Sequence, residues 1–98
     1  MGNMNMVFGD LNKVKGSQNT VNGSLNQLIG SRNELHGSEN KVKGDDNLVL
    51  GNKNAMSGNL NKVSGDENTM IGNSNLVSGS KNSLLGSENS VKGSKNTI

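Results

Sequence analysis

Glycine falls on a seven-residue period: Gly2, Gly9, Gly16 and onward to Gly93, fourteen in all, with none elsewhere. Three residues after each Gly stands Asn, from Asn5 to Asn96. Two residues after each Asn stands an aliphatic side chain, as in Val7, Val14, Leu28, Met56, Val77 and Ile98. The residue after each Gly is Ser, Asp or Asn. The unit is Gly-[Ser/Asp/Asn]-x-Asn-x-[Val/Leu/Met]-x. A fixed period of this kind is the signature of stacked repeats.

A heptad invites a coiled-coil reading, and that reading fails. A helical seam needs two apolar positions per heptad, and here only one is reliable. Every heptad also carries a Gly, each costing roughly 1 kcal/mol in a helix. A strand fits better. Asn and the aliphatic residue are two apart, so both point to one side, while the residues between and after them point to the other and vary freely. Gly tolerates positive φ, and short polar side chains bond nearby backbone, so Gly-[Ser/Asp/Asn] supplies the turn. An inward aliphatic is worth roughly 1.5–3 kcal/mol when fully buried. An inward Asn needs partners, because an unpaired buried amide costs on the order of 2–7 kcal/mol. Coils stacked about 4.8 Å apart bring Asn over Asn, where amides can form a ladder.

Composition matters only after this pattern. Rich in Gly, Asn, Ser and Lys, with one Phe and no Trp, Tyr or Pro, the chain resembles a low-complexity segment until its order is considered. The net charge of +2 is spread in both signs, too weakly for nucleic acid or a membrane surface as a partner. No Cys is present, which excludes disulfides, thiolate metal sites and Cys nucleophiles. No apolar run is long enough for a signal peptide or a membrane span. Starting and stopping on the repeat, the chain reads as a piece of a longer protein, an engineered protein, or a subunit that stacks end to end.

Charge columns decide how many heptads make a coil. With fourteen residues per coil, Arg32 meets Asp46, and Glu39, Lys53, Glu67 and Lys81 alternate in one column. With twenty-one, Asp46, Glu67 and Glu88 stack, and Arg32 meets Lys53. The 21-residue spacing of Phe8, Ile29, Leu50 and Ile71 argues for that three-sided alternative. The charge columns outweigh it. The expected fold is an all-β parallel β-solenoid, a β-roll of seven coils with two heptads each, forming a single domain over residues 1–98.

Segments such as Asn19-Thr20-Val21-Asn22-Gly23-Ser24 and Asn75-Leu76-Val77-Ser78-Gly79-Ser80 resemble the repeat of grass ice-recrystallisation-inhibition (antifreeze) proteins over the whole chain. The resemblance implies a left-handed β-roll with inward Val and an Asn ladder, an extracellular setting, and ice as the partner. A weaker resemblance links Asn68-Thr69-Met70-Ile71-Gly72 to the head repeats of trimeric autotransporter adhesins. Here Asn stands where that unit has Ser, and the large aliphatic before Gly does not recur every fourteen residues.

Function must then lie in the outward residues. One sheet mixes charge with bulk: Met6/Phe8, Thr20/Asn22, Glu34/His36, Leu48/Leu50, Lys62/Ser64. The other is uncharged from Ala55 onward. Ala55, Ser57, Thr69, Ile71, Ser83, Leu85 and Thr97 form a grid of small, hydroxyl and aliphatic groups, and these are the ice-binding candidates. Lys13, Lys15, Lys41 and Lys43 share that sheet, two coils apart, where they could touch an anionic surface; the preferred reading is solubilising charges. His36 reads as a surface residue, and Asp45, Asp46, Asp66 and Glu67 as turn acids. The Gly spacing matches neither a phosphate loop nor a calcium-binding nine-residue repeat. No cofactor, metal site or enzyme activity is expected. Met4, Met6, Phe8, Leu11 and Leu25 cluster near the first coils as a hydrophobic cap or a self-association surface. The two functions that fit are an ice-binding module and a structural or adhesive solenoid.

Overall fold

The computed structural model describes residues 4–98. They form thirteen strands of three residues each, β1 (Met6–Phe8), β2 (Lys13–Lys15), β3 (Thr20–Asn22), β4 (Gln27–Ile29), β5 (Glu34–His36), β6 (Lys41–Lys43), β7 (Leu48–Leu50), β8 (Ala55–Ser57), β9 (Lys62–Ser64), β10 (Thr69–Ile71), β11 (Leu76–Ser78), β12 (Ser83–Leu85) and β13 (Ser90–Lys92). Odd-numbered strands build one parallel sheet and even-numbered strands a second. Every pairing joins residue i to residue i+14, as in Val21 to Leu35 and Val42 to Met56. The chain is therefore a parallel β-solenoid of about six turns, two heptads to a turn. The 21-residue alternative falls on this register: Phe8 and Leu50 belong to the first sheet, Ile29 and Ile71 to the second.

The expected alternation of sides holds. The middle residue of each strand from β2 onward is buried, and Val14 through Val91 form one continuous apolar column with Val7 packed at its edge. The Asn preceding each strand is buried beside it, from Asn19 to Asn82. Between them the two columns fill the thin space between the sheets.

Hydrogen bonding between coils continues around the turns. Lys41 N–H donates to the Asn54 carbonyl at 2.8 Å, Gly44 N–H to Ile29 at 2.9 Å and Asp46 N–H to Ser31 at 3.0 Å. Each turn takes two positive φ values. Gly supplies one, and the variable residue before each Asn supplies the other, from Met4 (φ 62°) to Lys95 (φ 60°). That second requirement is not apparent in the repeat, because Leu, Lys, Glu, Arg, Gln and Met all occupy it. Val, Ile and Thr, the β-branched residues for which this conformation is worst, never do.

Candidate functional site

The second sheet carries its outward residues in two ranks fixed by the ladder. Thr69 pairs with Ala55 on one side and Ser83 on the other, and Ser83 bridges to Thr97. In the adjacent rank Ile71 pairs with Ser57 and Leu85. The seven residues singled out from the sequence thus lie together on one face. Ala55 is half-buried and the other six are exposed. Ile71 and Leu85 keep 51% and 68% of their surface in contact with solvent, so the patch holds apolar area no core demands.

Two side chains stand out from each strand because the middle one is committed to the core. The backbone beneath is held on both sides by inter-coil hydrogen bonds, such as Thr69 N–H to the Asn82 carbonyl at 2.8 Å and Gly72 N–H to Ser57 at 2.9 Å. The Asn column stiffens the sheet from within. Asn68 Nδ2 donates to the Gly79 carbonyl at 2.9 Å and to Asn54 Oδ1 at 3.2 Å, and Asn82 N–H donates to Asn68 Oδ1 at 3.0 Å. The expected amide-to-amide ladder is present, and each amide also bonds backbone groups of the neighbouring coils. Among the described residues, no buried side-chain nitrogen or oxygen lacks a partner.

The other half of the same face differs in charge and relief. Lys13, Lys15, Lys41 and Lys43 are exposed there, with Gln27 and Ile29 between the two pairs. A hollow of about 500 Å³ opens where Ala55 and Ser57 are short between Lys41/Lys43 and Thr69/Ile71. Sequence reasoning missed this relief, although Ala55, the smallest outward residue of the sheet, was the signal for it.

On the first sheet Glu34 and His36 stand beside Leu48 and Leu50, with His36 Nε2 3.2 Å from Glu34 Oε1. Met4, Met6, Phe8, Leu11 and Leu25 are all exposed. Met6 and Phe8 lie on the first sheet, and Leu11 and Leu25 in successive turns beside it. Among the described residues, no three His, Cys, Asp or Glu side chains are grouped to hold a metal ion. The turn acids have a structural use. Asp45 Oδ1 accepts from Ser31 N–H at 2.8 Å, Asp66 Oδ1 accepts from Asn52 N–H at 2.9 Å, and Asp46 is paired with Arg32.

A family model described as the grass antifreeze beta roll matches residues 1–72 and again residues 30–98, which together span the chain. No curated protein matches it.

Proposed function

The chain belongs to the grass antifreeze beta-roll family, and from that premise we propose that it binds ice and restrains recrystallisation through the uncharged outward half of its second sheet. The observation that carries this reading is the pair of ranks Ala55–Thr69–Ser83–Thr97 and Ser57–Ile71–Leu85, free of charge on a hydrogen-bonded sheet. Their spacing is about 4.8 Å between coils and roughly 6.7 Å along the strand. Hydroxyls at regular intervals hold water at fixed positions, and the methyl groups between them keep that water from being bound as tightly as around an ion. A rigid sheet loses little freedom when it meets a crystal surface. On this reading residues 1–98 are one domain of seven left-handed turns, and its action is non-catalytic.

Thr69→Lys tests the assignment. A long hydrated ammonium at the centre of the patch should abolish recrystallisation inhibition while the circular dichroism spectrum stays unchanged, because Thr69 faces away from the core. Lys62→Thr, on the opposite sheet, should leave the activity intact. Thr69→Lys at full activity would place the ice surface elsewhere.

A second reading is a structural solenoid that associates with copies of itself, favoured by the exposure of Met4, Met6, Phe8, Leu11 and Leu25. Concentration-dependent sedimentation, lost in Phe8→Ser/Leu11→Ser, would support it. A monomer at all concentrations would remove it.

A further inference from the structure

The basic half of the second sheet has no part in the ice reading. Lys13 and Lys15 project from β2, Lys41 and Lys43 from β6, and β4 lies between them with Gln27 and Ile29 outward. All six side chains are exposed. The face carries four ammonium groups and no carboxylate. The acids nearest in sequence, Asp10, Glu39, Asp45 and Asp46, stand in the turns. Among them Asp45 accepts from Ser31 N–H at 2.8 Å and Asp46 is paired with Arg32. Among the described residues, none of the four lysines is in an ion pair.

Relief adds to charge. Hollows flank the Gln27/Ile29 row, one of about 480 Å³ toward Lys13 and Lys15 and the other, of about 500 Å³, running past Lys41 and Lys43 to Ala55. The two lysine rows are two coils apart, about 9.6 Å at the backbone. The result is a strip in which an exposed row of amide and apolar groups, with a hollow on each side, lies between two rows of cations.

We propose that this strip binds a single chain of acidic polysaccharide, with Lys13, Lys15, Lys41 and Lys43 clamping its anionic groups over Gln27 and Ile29. A pyranose ring offers C–H groups to Ile29 and hydroxyls to the Gln27 amide, and its carboxylates or sulfate esters reach the flanking ammonium groups. Single-stranded nucleic acid fits less well. It is held by bases stacked on aromatic side chains, and the one aromatic residue, Phe8, lies on the other sheet. Exposed charge pairs of this kind weaken with added salt.

The test is titration calorimetry at low salt against polygalacturonate, dextran sulfate, neutral dextran and oligothymidylate. Binding to either acidic polysaccharide without binding to dextran is expected, and the two acidic probes separate carboxylate from sulfate recognition. Lys13→Gln/Lys41→Gln should weaken it about tenfold. Lys62→Gln/Lys92→Gln, an equal loss of charge on the opposite sheet, should change it little.

Heptad deletion gives a sharper arm. Both half-turns follow one repeat, so removing residues 23–29 should transfer everything downstream to the opposite sheet. The heptad carries no charge, yet Lys41 and Lys43 would part from Lys13 and Lys15, and binding should be lost. Removing the uncharged heptad 72–78, downstream of the clamp, should preserve it. Equal losses in the two double variants would overturn the proposal. So would retained binding after deletion of a folded 23–29, tighter binding of oligothymidylate, or no binding to either acidic polysaccharide. If the 23–29 deletion fails to fold by circular dichroism, the double variants decide.

Discussion

Gly51 shows what a single position demands. Its φ is 134°, and a Cβ added there would overlap the Gly65 carbonyl oxygen and come within 2.7 Å of the carbonyl carbon. Gly86 has nearly the same φ, 130°, but the nearest atom to its added Cβ is Asn89 Nδ2 at 3.3 Å. The two separate backbone strain from stacking. Gly86→Ala should cost on the order of 1–3 kcal/mol, the scale of a residue forced into a sparsely populated conformation. Gly51→Ala should cost clearly more, because two coils must part. Urea unfolding of both variants measures the difference, and equal losses would show that close approach of the coils is not what selects glycine. The other positive-φ position tolerates a side chain because φ near 60° lies in the left-handed region open to L residues, and the side chain there is exposed, as at Leu60 and Lys53.

Among elements, the inward Asn couples one coil to the next. Asn47 Nδ2 donates to the Gly58 carbonyl at 2.8 Å, and Asn47 Oδ1 accepts from Asn61 N–H at 3.0 Å. Asn47→Ala leaves both partners unpaired in a dry interior and should cost about 2–5 kcal/mol. Ser38→Ala is the comparison. Its bond to Asn52 Oδ1 at 2.8 Å is made by the Ser38 backbone N–H, which Ala retains, so the melting temperature should barely move. Equal melting temperatures for the two variants would count against the buried amide as the tie between coils. The residue after each Gly adds an outer tie where it is Asp or Asn. Asp45, Asn52, Asn59, Asp66 and Asn73 each accept from the backbone N–H of the coil before. These five consecutive heptads are tied on the outside as well as within.

At the scale of the molecule, charge is confined to the outside, and the buried core is aliphatic and amide. Arg32 and Asp46 make a two-point contact across adjacent coils, Nε to Oδ1 at 2.8 Å and Nη2 to Oδ2 at 3.1 Å. The hydrogen bond from Arg32 above all, with its charge, holds the Asp46 carboxyl below its ordinary value against partial desolvation. A carboxyl lowered in the folded state contributes stability that is present above its unfolded pKa and lost as pH falls through the lowered one. Arg32→Gln should therefore raise the Asp46 titration midpoint, followed by carboxyl chemical shifts, and flatten the acid side of the stability curve. An unmoved midpoint would mean that the pair does not form in solution. The same confinement of charge divides the second sheet into a basic half and a neutral half on one continuous ladder, so the core is indifferent to what each half binds.

The sequence by itself determined the strand, the turn, the inward Asn and aliphatic columns, and the fourteen-residue register. Alternation along a strand is local, and two half-turns with the same period must stack like on like. The Arg32–Asp46 contact follows from the register alone. Tertiary structure decided what depends on distances between coils. Glu39, Lys53, Glu67 and Lys81 do stack in one column, yet they form no ion pairs, although Arg32 and Asp46 pair from the same turn conformation. The backbone partners of the Asn amides, the second positive φ and the hollow over Ala55 were also beyond the repeat. A seven-residue pattern states which way each side chain points. It does not state how far away the neighbouring coil lies or what relief unequal side chains leave on the surface.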